Sequence, residues 1–169
     1  MSTSTSSDPS AVLRAVLAEL ELSWAESRPG LFSVTLPGIR KLQTECALEV
    51  GRHMLGLRAF VARKPDENHA AVYRWLLERN LKLSEVAFSL DRLGDIYLTG
   101  RVPIAAVTAD LVDQLLGQVA DTADSSFNTI LELGFASSIR AEWAWRLSRA
   151  ESTANLAAFT HLVDKPATR

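Results

Sequence analysis

The sequence predicts an α+β domain: a five-stranded, mostly antiparallel sheet with helices packed on one face, in the order helix, three strands, helix, two strands, helix, followed by a helical C-terminal extension. Three observations predict it. The hydrophobic period switches from that of a helix to two at Leu31 and again at Val86. Residues 41–50 alternate without exception, with Leu42, Thr44, Cys46, Leu48 and Val50 on one side and Lys41, Gln43, Glu45, Ala47 and Glu49 on the other. The strands are separated by short turns rather than by crossover helices, so they form hairpins and not βαβ units.

Each element follows in turn. Asp8 is an N-cap residue and Pro9 fits the first helical position. Val12, Val16, Leu17, Leu20 and Trp24 then trace one apolar helix face, so the spacing predicts a helix to Glu26, ended by Arg28-Pro29-Gly30. Phe32, Val34 and Leu36 face one way in the first strand, and Pro37-Gly38 turns the chain into the second. Residues 54–62 are apolar on both faces apart from Arg58, which predicts a central strand. Residues 68–79 carry Val72, Trp75, Leu76 and Leu77, with Asn80 read as a left-handed C-terminal cap. Val86, Phe88 and Leu90, then Ile96 and Leu98, make a second hairpin around residues 91–95. Val107, Leu111, Leu115 and Val119 open a long helical region that resumes after Ser125-Ser126 and ends at Gly134; residues 137–149 form one more helix.

With 169 residues, 47% of them hydrophobic and 22% charged, the chain suits one globular domain that buries a core without covalent staples. The net charge of -2 offers no basic excess for a phosphate backbone, so no nucleic-acid partner is expected. The single cysteine, Cys46, excludes an internal disulfide and a thiolate metal cluster. Residues 1–7 lack the basic and apolar regions of a signal peptide, and no apolar run approaches the ~20 residues of a membrane span. A cytoplasmic protein with no membrane partner is the expectation.

In this order of elements the chain resembles the YbjN family of bacterial regulators. The resemblance is carried by Arg63-Lys64-Pro65 before the second helix, Leu76-Leu77-Glu78-Arg79-Asn80 closing it, Asp95-Ile96-Tyr97-Leu98 in the second hairpin, and Ala123-Asp124 ahead of Ile130-Leu131, and it covers about residues 10–135. It implies the fold of the small type III secretion chaperones and a dimerising or partner-binding domain without known chemistry. Those chaperones are more strongly acidic than this chain and lack its Trp-containing extension. The resulting division is a disordered stretch over 1–7, the YbjN-like domain over 8–135, and an extension with a tail over 136–169, whose last residues should fray.

The chemistry-bearing residues point the same way. His53, His69 and His161 share no metal-binding spacing, Cys46 sits on the apolar face of its strand, and no phosphate-cradling glycine pattern occurs, so neither cofactor nor catalytic group is expected. Asp110, Asp113, Asp121 and Asp124 read as a solvated helix face. The sharper signal is Trp143 and Trp145. Two apart on a helix, they diverge by about 200° and cannot share one core. One of them is therefore exposed, covered by the tail after Glu151, or covered by another chain; Arg140, Arg146 and Arg149 beside them fit an interface equally well. Arg58 either meets a partner's carboxylate or pairs with Glu45 or Glu49 on the neighbouring strand. The expected function is a non-catalytic protein-binding domain, chaperone-like or regulatory, acting on another protein or as a homodimer. The alternative is a small-molecule sensor whose sheet and long helix enclose an apolar pocket, with Arg58 and Tyr97 as polar anchors.

Overall fold

The computed structural model describes residues 8–163; the expectations of a disordered 1–7 and of fraying at the C-terminus lie outside the described residues. The elements are α1 (Pro9–Glu19), β1 (Ser23–Arg28), β2 (Leu31–Pro37), β3 (Gln43–Val50), β4 (Met54–Ala62), α2 (His69–Asn80), β5 (Val86–Leu90), β6 (Ile96–Pro103), α3 (Ala109–Gly134), α4 (Ala136–Ser148) and a last short helix α5 (Thr160–Val163), with 3-10 turns at Ile104–Ala106 and Ala154–Phe159. The strands form one antiparallel sheet in the order β1-β2-β3-β4-β6-β5.

The sheet has six strands, one more than the periodicity predicts. The added strand is β1. Asp8 accepts from the Ser10 N–H at 3.1 Å and starts α1 as expected, but the helix ends at Leu20 and Glu21 takes φ 53°, turning the chain. Trp24 then faces inward from a strand opposite Val34, not from a fourth helical turn. A bulge between Glu26 and Arg28 and the left-handed Gly30 (φ 78°) lead into β2.

Alternate residues of every strand from β2 to β6 point to a single core. Phe32, Val34, Cys46, Leu48, Leu55, Ala59, Val61, Phe88, Ile96 and Leu98 are buried, while Ser33, Glu45, Arg58 and Arg101 lie on the other face. The central strand β4 is thus wet on one side. Helix α3 covers the buried side, flanked by α1 and α2, and presses Val112, Leu115, Leu116, Val119, Ala123 and Ile130 into it. It runs unbroken through Ser125-Ser126, with Ser126 fully buried. Burying side chains of this size contributes about 1.5–3 kcal/mol each, so the α3 face alone outweighs any cap or surface ion pair in the molecule.

Candidate interaction surface

Helix α4 is held at its start by the loop after β4. The Gly134 carbonyl accepts from the Asp66 and Glu67 N–H groups at 2.9 and 3.1 Å. Glu67 in turn accepts from the Ser137 N–H at 2.6 Å and its hydroxyl at 2.9 Å, placing a carboxylate on the orphan amides of the helix N-terminus. The Arg63 guanidinium grips Asp66 with two bonds, at 2.6 and 2.8 Å, and stacks over Phe135 at 4.5 Å. Arg63, and then the Ser138 hydroxyl at 2.7 Å, pull the Asp66 carboxyl down to about 2. A Cβ at Gly134 would stand 2.8 Å from that of Pro65, so the two segments touch backbone to ring.

The two tryptophans diverge. Trp143 is half-buried and Trp145 is 45% exposed. The three arginines divide into two roles. Arg140 donates to the Leu162 carbonyl at 2.8 Å, and Arg146 donates to Glu142 at 2.6 Å and to the Ser152 carbonyl at 3.2 Å, so both tie down the segment that follows α4. That segment folds back, inserting Phe159 into the common core with Ile139 and Phe135. It leaves Trp145 uncovered. Arg149 alone stacks on Trp145, its guanidinium carbon 4.8 Å from the ring centroid. The outer face of α4 therefore presents an exposed aromatic and cationic pair, Trp145 and Arg149, while Leu147, also exposed, lies about 200° round the helix from Trp145.

Arg58 stands elsewhere, on the uncovered face of the sheet, with no hydrogen bond or ion pair to the α4 group. Its partner is not on β3. Glu45 accepts from the Thr35 hydroxyl at 3.0 Å and Glu49 pairs with Arg28 at 2.7 Å. Arg58 lies instead 3.8 Å above the Tyr97 ring and 3.6 Å from the Asp91 carboxylate, because β6 and not a meander strand is its second neighbour. Arg58, Tyr97, Ser89 and Thr99 line an open hollow of about 690 Å³. The apolar space lies at another place, between the end of β4 and the C-terminal half of α3.

The residues that carry the family resemblance turn out to be joints. Asp124 leaves the solvated acidic row and accepts the N–H groups of Ile39, Arg40 and Lys41 at 2.7, 2.6 and 2.9 Å. Burial opposes its charge, but those three donors and the Arg40 guanidinium outweigh it, and the carboxyl titrates below its ordinary range. Asn80 is helical, not a left-handed cap, and pairs both of its amide ends with the Phe88 backbone, at 2.7 and 3.2 Å. It thereby occupies the free edge of β5 as a neighbouring strand would. Asp95 accepts from the Lys64 N–H at 2.7 Å. Sequence periodicity also left unseen a second exposed apolar strip, Leu77 (67%) on α2 and Leu81 (87%) just past its end, with Leu77 beside Leu90 (44%) on β5. Their i, i+4 spacing was its only signal.

Among the described residues no helix is long and apolar enough to cross a membrane. In its fold the chain is similar to the Yersinia pestis type III secretion chaperone SycH, solved in complex with a stable fragment of YscM2: TM-score 0.52, 21% identity, 69% of this chain and 97% of that one. It is also similar to a chain of the heterodimeric ExoU–SpcU complex of the Pseudomonas aeruginosa type III secretion system, with TM-score 0.50, 17% identity, and 72% and 96% of the two chains covered. In sequence it is 56% identical over 131 residues to an uncharacterized protein of Mycobacterium leprae, covering 78% of this chain and 71% of the relative. An uncharacterized protein of Mycobacterium tuberculosis is 57% identical over 134 residues, covering 79% and 73%. Residues 9–132 match the YbjN model, described as a putative bacterial sensory transduction regulator, and the chain belongs to the YbjN family.

Proposed function

We propose that this chain is a non-catalytic, cytoplasmic protein-binding domain of regulatory or chaperone-like kind, that it associates with a second copy of itself, and that the outer face of α4 makes the contact. In this reading residues 8–135 supply the frame and the extension from residue 136 supplies the contact. The observation that carries it is Trp145, 45% exposed with Arg149 stacked upon it, on a helix whose root is fastened by five hydrogen bonds to the β4–α2 loop. Exposed tryptophan and arginine on a rigid support are the residues that dominate protein interfaces. The two fold relatives, each solved in a complex with another protein, support a protein partner.

Truncation at Gly134 is a poor test, because it removes Ile139 and Phe159 from the core. Point variants of the full chain avoid this. Size-exclusion chromatography with light scattering is expected to give a dimer for the native chain and a monomer for Trp145→Ala, with the thermal transition of the variant still cooperative. Leu77→Glu, on the α2 strip, is expected to stay dimeric. A native monomer, or a dimer that survives Trp145→Ala and falls apart in Leu77→Glu, overturns the assignment.

A further inference from the structure

The largely apolar groove beside α4 holds a cation without a carboxylate partner. It has a volume of about 510 Å³ and lies between Phe60 and Val61 of β4, Phe127 and Leu131 of α3, and Ile139 of α4, with Leu156 closing one side. Lys41, on the β2–β3 loop, puts its ammonium at the groove wall, 5.6 Å from the Phe60 ring centroid and 5.4 Å from that of Phe127. The loop is fixed there by the Asp124 bonds, one of which is to the Lys41 N–H itself. Among the described residues no carboxylate comes within salt-bridge distance of the Lys41 ammonium. The other charged groups on the wall are already matched: Arg63 with Asp66, and Glu142 with Arg146. The wall therefore carries one uncompensated positive charge in apolar surroundings. Burial pushes the Lys41 ammonium below the ordinary lysine range against the pull of Glu45. Two aromatic faces offset only part of that loss of solvation.

We propose that this groove binds an apolar monocarboxylate, a medium-chain fatty acid or a molecule of the same chemistry, with its chain against Phe60, Phe127, Leu131 and Ile139 and its carboxylate on Lys41. The volume is that of small-molecule clefts, and an acyl chain with one terminal anion matches both the walls and the single charge. The site differs from the Arg58–Tyr97 hollow, where the arginine already has Asp91. It is independent of the interface on α4, although Ser138 and Glu142 border both this groove and the shallow hollow beside Trp145.

The test is calorimetric titration of the full chain with decanoate below its micelle concentration, with decanol as the uncharged control. One decanoate per chain is expected, with decanol about tenfold weaker, the worth of one charge-assisted contact. Lys41→Met should bind decanoate about tenfold more weakly and decanol unchanged, while Lys41→Arg should stay within a few fold of native. Thermal melts of both variants show that they fold. Equal binding of decanoate and decanol, binding indifferent to Lys41→Met, or binding seen only above the micelle concentration overturns the proposal. So does a groove that takes no decanoate but is protected, in hydrogen exchange, by the second protomer. None of these outcomes depends on whether Trp145→Ala alters the oligomeric state.

Discussion

Replacing Asp124 by alanine should loosen the loop between β2 and β3 at a cost that can be worked from its three hydrogen bonds. The carboxylate side chain is 17% exposed and accepts three backbone N–H groups at 2.6–2.9 Å. A bond to an ionised group contributes about 1.5–3 kcal/mol when both ends are removed from water, but here two of the three donors stand on exposed residues, Ile39 (88%) and Arg40, so the released amides recover solvent. Roughly 1 kcal/mol per bond is then the appropriate figure, for a total of about 2–3 kcal/mol. In a domain of this size that lowers Tm by roughly 4–12 °C. Asp124→Asn, which keeps an acceptor and loses the charge, should fall about halfway. The pH dependence carries the decisive sign. The folded carboxyl titrates below its unfolded value of about 3.9, so its contribution is present above that pH and is lost as pH falls through the folded pKa. The stability gap between native and Asp124→Ala should therefore be constant near neutrality and close below about pH 4. Urea unfolding at several pH values measures it, with the slope m unchanged between the two proteins. A gap under about 0.5 kcal/mol, or one that does not shrink in acid, refutes the loop-anchor account.

Three further outcomes follow from geometry already described. A Cβ at Gly38 would overlap the Lys41 carbonyl oxygen and stand 2.7 Å from Asp124 Oδ1, so Gly38→Ala should cost about as much as Asp124→Ala, and the double variant little more than either; a double-mutant cycle in urea checks this coupling. Asn80→Ala removes both bonds to Phe88 and should destabilise by roughly 1–2 kcal/mol while raising concentration-dependent light scattering, since the β5 edge becomes free. Burial first, and the Glu45 charge second, push the Cys46 thiol up to about 12, so the native protein should leave a disulfide reagent such as DTNB unreacted at mildly alkaline pH and react at the rate of unfolding in urea.

The helices and the strands β2, β3, β5 and β6 were legible because each repeats one period over several residues, and β4 because it is a short, almost wholly apolar run between turns. The edge strand was not. Leu20 and Trp24 are four apart and continue a helical stripe, and the turn that breaks it rests on Glu21, a residue with no special liking for positive φ. Of the inward-facing positions of β1 only Trp24 is apolar, the next being Glu26, so the strand carries no repeated apolar period to read. Arg58 was legible as a residue of the open face, but its partner depended on strand order: β6 inserts between β4 and β5, which brings the β5–β6 loop and Asp91 to it. Trp143 and Trp145 could be separated by helical arithmetic alone. Lys41 could not be singled out, since its two rings come from residues 60 and 127 and only the folded chain brings them together. The same holds for Asp124, whose donors lie more than eighty positions away.

The fastening of α4 to the β4–α2 loop bears on how the chain is made. The Glu67 carboxylate and the Ser137 amide are seventy residues apart in sequence, and Phe159 comes later still. During synthesis the sheet, α1 and α2 leave the ribosome while Asp66 and Glu67 still lack the carbonyl and hydroxyls that will satisfy them. The loop is thus a socket built before its plug exists. Long-range closure of this kind is slow, and an incomplete chain exposes the apolar end of β4 and the inner face of α3 until it occurs. A ribosome stalled shortly before Phe159 should therefore display a nascent protein that binds holdase chaperones, whereas one stalled well beyond the C-terminus should not.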